Sequence, residues 1–557
     1  MKSKMTGIAV MLLIGCALIW AAGSTYRSSP AVDSKEESDT EIRPADQFPI
    51  ADNQILLPVY AAPPVEVEDL NTNTFTKYLE EKLNIKFEFV TAGASAKKER
   101  GQMLLASGDY PAVMLGGDFT PDEQIKYGMS GVLRPLDDLI DRYGSNIKRI
   151  FAEHPEHRKA VTAPDGHIYS LASINECFHC WYAQKLWVNS TWLQKLNLKP
   201  PQTTEEFYRM LKAFKTQDPN GNGKQDEVPL SGAIGSYHAK ITGFLMSAFI
   251  YNTDDNYFYV KDGKVGMAAV QPEWKDGLAY IHRLYREGLV DPSSFTQTLD
   301  GIIQLASHQG DNILGSATLG HIRMAFSGLD NARNQEYDTI PPLIGPDGYQ
   351  AAGYFNMGDN GQFAITDKAT ETQAAAAIRL ADYLYSEEAA ILNEFGPERV
   401  WWRKGLPGEV DEHGRPARFR LNPEYWEHLT QNDGWSQMGI LYRNRDLRES
   451  WAVPGDLYSK EGYEHRLYAE TAKNYFGKEP DEVFPANIYV QPEDAFEAVR
   501  LRVQINDYIE SNMVQFITGT KDLDQEWDAY CDGFTGLKLE RYLTIYQNAY
   551  SKYKNGQ

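Results

Sequence analysis

The segment Asp218-Pro219-Asn220-Gly221-Asn222-Gly223-Lys224-Gln225-Asp226-Glu227 places oxygen-bearing side chains at loop positions one, three, five, nine and ten, with glycine at position six. A hard cation such as Ca²⁺ takes roughly six to eight oxygens, and a sharply turning loop with alternating oxygen side chains delivers them. Asp218, Asn220, Asn222, Asp226 and Glu227 would supply side-chain oxygens, and Lys224 its backbone carbonyl. The loop departs from the EF-hand at position twelve, which is Pro229, so Glu227 has to replace the usual bidentate carboxylate. With no catalytic cluster beside it, the expected ion is structural; the competing reading is a solvated Asn-Gly turn.

A second candidate is Cys177-Phe178-His179-Cys180. Structural zinc needs a further ligand pair at a suitable spacing, and none stands in the sequence. Thioredoxin-like chemistry needs the motif at a helix start. A local disulfide or two plain thiols remain as readings, and Cys531 is expected to pack as a small apolar residue. No Gly-x-Ser-x-Gly, His-Glu-x-x-His or phosphate-binding Gly-Lys-Ser/Thr motif occurs, and spacing assigns no glycosidase carboxylate pair, so no catalysis is expected.

The chain opens with Lys2 and Lys4, an apolar run from Gly7 to Trp20, and Ala21-Ala22-Gly23, the pattern of a secretory signal over residues 1–23. The run is short for a membrane span, which takes about 20 apolar residues. Leu13-Ile14-Gly15-Cys16 resembles a bacterial lipobox, which would lipidate Cys16; ordinary cleavage near Ala22 or Gly23 is the alternative, giving a secreted protein. Residues 24–46, rich in Ser, Asp and Glu, read as a flexible tether.

Behind the tether, Ile55 to Tyr60 reads as a buried strand, Phe75, Tyr78, Leu79 and Leu83 recur at helical spacing, and Ile85, Phe87 and Phe89 alternate with charged residues. Strand, helix, strand implies a parallel α/β unit. Thr203 and Glu206 form a capping box ahead of Phe207, Met210, Leu211 and Phe214. Leu539, Tyr542, Leu543, Tyr546, Tyr550 and Tyr553 form one C-terminal stripe, expected to pack in the core.

The 557 residues carry a net charge of −22, which argues against nucleic acid as partner because phosphate binding needs a basic face. Eleven Trp, 33 Tyr and 23 Phe exceed what a core needs and fit stacking on flat ligands.

Several segments together resemble the extracellular solute-binding proteins of the family 1 type, in the long lipoprotein branch tied to oligosaccharide uptake, and the alginate-binding periplasmic proteins. These are Ala106-Ser107-Gly108-Asp109-Tyr110-Pro111, GVLRPLDDLI (Gly131 to Ile140), Asp165 to Tyr169, Trp192 to Leu196, the cation loop, HRLYREGLVDP (His282 to Pro292) and FITGTKDLDQEWDAY (Phe516 to Tyr530). Ala112 stands where the family turn carries Asp, and Asn189-Ser190 where a basic pair is usual.

The resemblance implies an α/β, two-lobed periplasmic-binding-protein-like fold with crossing hinge segments and a ligand cleft between the lobes. Lobe 1 is expected over 47–175 and 318–395, and lobe 2 over 176–317 and 396–557, the latter holding the cation loop at 218–227. It further implies a bound Ca²⁺, an oligosaccharide ligand, an ABC-transporter permease as partner, and a monomer lipid-anchored on the extracellular face of the membrane. Sugars offer apolar C–H faces to Trp and Tyr, and hydroxyls to Asp, Asn, Gln and Arg. The expected contacts are therefore Trp181-Tyr182 and Trp401-Trp402-Arg403, then Tyr354, Trp435, Trp451 and Asp118. An exported carbohydrate-active enzyme, or a binder of peptides or another non-sugar nutrient, are the alternatives.

Overall fold

A computed structural model describes residues 41–254, 256–326, 332–355, 359–427 and 430–555. The signal at 1–23, Cys16 and the tether up to residue 40 lie outside the described residues.

Asn73 caps the helix Thr74–Leu83, its Oδ1 accepting from the Phe75 N–H at 3.0 Å, and Asn84 closes it in the left-handed conformation at φ 56°. That helix joins the strands Ile55–Ala61 and Ile85–Thr91, which pair in parallel with Ile55 opposite Ile85, as the alternating pattern implied. They form one edge of a six-stranded mixed sheet. Val113–Leu115 pairs in parallel with Ile55–Ala61, and Asp359–Ile365 runs antiparallel between Val113–Leu115 and Leu171–Asn175. Tyr442–Arg443 closes the far edge, parallel to Leu171–Asn175. Leu57, Val59, Leu79, Ile85 and Ile378 are completely buried in this lobe's core.

A second, three-stranded sheet places Leu186–Asn189 between Ser316–Thr318 and Tyr337–Thr339, antiparallel to both. The chain therefore crosses from the first sheet to the second between Asn175 and Leu186, and returns between Thr339 and Asp359. The capping box of Thr203 and Glu206 starts the helix Thr204–Thr216 as expected, and Phe207, Leu211 and Phe214 are buried beneath it. In the C-terminal helix Leu539–Lys554, Tyr542, Tyr546 and Tyr550 are buried while Tyr553 is 39% exposed, so the stripe packs in the core except at its last turn.

Three elements lie at or across the expected divisions. The division at 318 falls at the end of the strand Ser316–Thr318, and Tyr337–Thr339 still belongs to the second sheet. Tyr442–Arg443, expected in lobe 2, adds to the first sheet, and the helix Ala495–Thr518 packs on both lobes, against Pro121–Met129 and Pro272–Arg286. Arg502 on that helix pairs with Asp122 at 3.3 Å and Glu123 at 3.4 Å. Strands of two or three residues leave no periodic signal, which is why pairing alone reveals them. The end of the expected tether is also docked. Buried Arg379 donates to the Arg43 carbonyl at 2.6 Å and the Gln47 carbonyl at 2.8 Å, and to Pro44, satisfying a segment whose composition looks solvated.

Candidate functional site

The first crossing segment is held by its own turn. The Cys180 N–H donates to the Cys177 carbonyl at 3.0 Å and the Trp181 N–H to the same oxygen at 3.2 Å. Cys177 and Cys180 form a disulfide, resolving the choice between bridge and free thiols, and Cys531 is free and half-buried. Lys185, completely buried, secures the turn by donating to the His179 carbonyl at 2.7 Å and the Tyr182 carbonyl at 2.5 Å. Burial pushes this ammonium down to about 7, partly offset by Glu470.

This turn forms one wall of a cleft between the lobes. The cleft has two chambers, of about 610 and 750 Å³, that share His179, Tyr237, His321, Glu394, Gln437, Arg448 and Glu464. Phe178, Phe395, Tyr425, Trp451, Tyr463 and Tyr468 give the first chamber aromatic walls; Trp181, His238 and Phe355 do so in the second. His238 lies between aromatic rings, with centroids 4.4 Å from both Tyr237 and Phe355.

Where the chambers meet, Glu464 accepts from Arg448 at 3.3 Å and lies 3.6 Å from His179 Nε2. Arg448 also approaches Cys177 Sγ at 3.1 Å. Behind them Arg443 and Glu394 form a buried ion pair. Burial acts to raise the Glu464 pKa, but His179, Arg448, His321 and Arg443 outweigh it and hold the carboxyl at about 2. Burial pushes the imidazoles down, His179 and His238 to about 3 and His321 to about 4, so all three are neutral near pH 7. Seven carboxylates (Glu66, Glu176, Glu394, Glu412, Glu449, Glu461 and Glu464) face four arginines (Arg323, Arg420, Arg443 and Arg448) in the first chamber, which makes it electronegative.

Of the nine expected ligand contacts, Trp181 and Trp451 line the chambers. Tyr182 is 2% exposed, packed on Tyr354 at 5.1 Å and on Phe178 at 5.9 Å, so both tyrosines back the wall rather than face the cleft. Trp402 donates to the Gly396 carbonyl at 2.9 Å and packs on Phe419, and Trp401 donates to Asp433 at 2.8 Å. Arg403 is committed to a two-pronged pair with Glu409, at 2.8 and 2.6 Å. Trp435 is completely buried between Phe75 and Phe87 and donates to Thr76 at 2.8 Å, so it is a core residue of the first lobe. Asp118, with φ 49°, pairs with Lys97 at 2.6 Å, away from both chambers. The sequence reading missed Phe178, His179, Tyr237, His238, His321, Arg448 and Glu464. Only Phe178 and His179, inside the cysteine motif, lay in a segment already singled out.

The loop at 218–227 folds around Asp218, whose carboxylate accepts from the N–H groups of Gly221 at 3.0 Å, Asn222 at 3.1 Å and Gly223 at 3.0 Å. Asn220 and Asn222 converge on Asp226, each at 3.2 Å. Both Glu227 carboxylate oxygens are shielded from solvent with no hydrogen-bond partner, and burial raises this carboxyl above its ordinary range, aided by Asp226 and Asp218. A divalent cation fits this donor set, because it satisfies an otherwise orphaned carboxylate.

Two α/β lobes, the segments that cross between them and an aromatic, polar cleft define a binding protein that encloses a small ligand. The chain belongs to the bacterial extracellular solute-binding protein family, whose sequence model matches residues 62–391. It is 26% identical over 576 residues to the fructooligosaccharide ABC transporter substrate-binding protein FusA of Streptococcus pneumoniae serotype 4, covering 100% of this chain and 99% of that one. Its fold is similar to that of S. pneumoniae FusA in complex with kestose, with a TM-score of 0.76 at 24% identity over 90% of this chain and 100% of that one. An EF-hand mutant of FusA in complex with fructo-nystose superposes with a TM-score of 0.75 at 24% identity, over 90% and 100% of the two chains. The alginate-binding protein AlgQ2, in a structure without calcium ion, gives 0.69 at 24% identity over 90% and 98%. Among the described residues no helix is long and apolar enough to cross a membrane.

Proposed function

We propose that this protein captures a neutral oligosaccharide in the cleft between its lobes and delivers it unaltered to an ABC-transporter permease. One observation carries the reading: two connected chambers walled by aromatic rings and lined with Arg, Gln, His and Glu. Rings stack on the apolar faces of pyranose or furanose units, and the polar groups exchange hydrogen bonds with hydroxyls. Two chambers suit several linked units. The excess of carboxylates over arginines in the first chamber disfavours an anionic glycan such as a uronate chain, which would meet like charge. The fructooligosaccharide named for FusA is neutral and supports the same reading.

Trp181 is the stacking platform retained from the sequence reading, joined by Tyr237 and Phe355, while buried Trp451 backs the first chamber through Phe395 and Phe419; Glu464 and Arg448 are the hydroxyl-binding pair. Lobe 1 is assigned to 47–175 and 359–395 with the strand 442–443, and lobe 2 to 186–326 and 332–339 with the helix 463–474; the crossings at 176–185, 340–355 and 444–462 act as hinges when ligand closes the lobes. The loop from Asp218 to Glu227 holds a structural Ca²⁺, as the EF-hand named for the FusA mutant also suggests. Cys16 carries a lipid that keeps the monomer at the outer face of the membrane. Isothermal titration against neutral and uronic oligosaccharides, with the sugar analysed afterwards, tests the reading: a neutral oligosaccharide binds one to one and is recovered intact.

A further inference from the structure

We infer that His154, Glu156, His157 and Glu176 form a second cation site, for a first-row divalent transition metal such as Zn²⁺, on the first lobe and apart from the 218–227 loop. Donor atoms of His154, Glu156 and His157 all lie within 4.8 Å of one another, and His154 Nδ1 stands 3.2 Å from Glu156 Oε1. His157 Nε2 is shielded from solvent and has no hydrogen-bond partner, which is costly for a ring nitrogen in the interior. Glu176 Oε1 lies 4.0 Å from it, while the other carboxylate oxygen of Glu176 accepts from the Arg445 N–H at 2.7 Å.

Three local features assemble these groups. The helix Pro155–Val161 starts at Pro155, so His154 stands just before its first turn while Glu156 and His157 stand within it. Glu176 follows the strand Leu171–Asn175 at the start of the crossing segment. Tyr442, on the sheet edge, backs both imidazoles with ring centroids 6.3 and 6.4 Å away. Zinc binds imidazole nitrogen at about 2.0 Å and carboxylate oxygen at about 2.0–2.2 Å in a tetrahedron, whose edges are then about 3.3 Å. His154 Nδ1 and Glu156 Oε1, 3.2 Å apart, already span such an edge; His157 Nε2 and Glu176 Oε1, 4.0 Å apart, stand wider and must draw in around the ion, and Glu156, which is exposed, is able to follow. Two neutral imidazoles and two carboxylates match a dication in charge and in donor type. Because Glu176 also lines the first chamber, metal here would tie the cleft wall to the helix Pro155–Val161.

The test uses the full chain in excess Ca²⁺, titrated at neutral pH with Co²⁺, whose visible d–d absorption reports tetrahedral nitrogen and oxygen ligands, and then with Zn²⁺ as competitor. One Co²⁺ per chain is expected, displaced by Zn²⁺, with affinity at least tenfold weaker in His154→Ala and His157→Ala and unchanged in the loop variant Asp218→Asn. His154 is not part of the core, so His154→Ala decides the matter if His157→Ala does not fold. Absence of the tetrahedral absorption, or affinity within tenfold of the parent in His154→Ala, overturns the site. Sugar binding is measured on the same samples, so loss of this site and failure of the transport reading are read separately.

Discussion

Glu464 Oε2 lies 3.6 Å from His179 Nε2 at the point where the two chambers of the cleft meet. The carboxylate comes from the helix Tyr463–Asn474, which packs on the second sheet, and the imidazole from the crossing that leaves the first. The pair thus joins an element of one lobe to a hinge segment, and Arg448, bonded to Glu464 at 3.3 Å, supplies the positive charge that keeps the carboxylate ionised. A ligand bridging the chambers has to meet this pair. Glu464→Gln removes the charge but keeps the shape and one acceptor; sugar affinity is expected to fall at least tenfold in calorimetry, with the protein still folded.

The depressed cleft histidines set a pH dependence. Above about pH 6.5 neither folded nor unfolded chain protonates these imidazoles, and they cost nothing. Below it the unfolded chain takes up protons that the folded cleft refuses, since His179 and His238 hold at about 3 and His321 at about 4. Stability should therefore fall as pH drops from about 6.5 toward about 4. Melting temperatures across that range check this, and His238→Gln should flatten the fall.

Glu227 carries the prediction for the cation loop. A ligand held at a hundred times its Kd stabilises the folded state by roughly 2.7 kcal/mol. EDTA should lower the melting temperature of the parent by several degrees and leave Glu227→Gln, already lowered, almost unchanged.

Two tryptophans separate platform from core. Trp435→Ala should cost about 3–5 kcal/mol in denaturant unfolding, the range for emptying a buried indole site, with sugar affinity unchanged wherever the variant is folded. Trp181→Ala should do the reverse, losing at least tenfold in affinity with little change in stability.

The buried pair of Arg443 and Glu394 yields a further contrast. Arg443→Met alone leaves a buried carboxylate uncompensated and should cost about 3–5 kcal/mol in denaturant unfolding. Arg443→Met combined with Glu394→Leu should recover most of that loss.

The parallel unit, the capped helix at Thr204 and the loop at 218–227 were legible because each is a local pattern: alternation, a capping box, oxygen spacing. The cleft was legible only as a class of site. Trp401 and Trp402 look like a platform in sequence, but their indoles donate to Asp433 and the Gly396 carbonyl. Trp435 is equally aromatic in sequence and is enclosed by Phe75 and Phe87. Which face of an aromatic side chain is free depends on contacts made hundreds of residues away, as with Thr76 and Trp435. Glu464, His321 and Tyr237 come from separate segments with no shared motif, so only the folded chain brings them to one cleft.

The most direct measurement is calorimetric titration of the full, Ca²⁺-loaded chain with neutral oligosaccharides of increasing length, followed by chromatography of the recovered sugar. The expected result is saturable one-to-one binding of at least one neutral oligosaccharide, weakened in Trp181→Ala, with the sugar recovered at its original length. Binding confined to peptides or uronic chains, or recovery of shortened sugar, would contradict it.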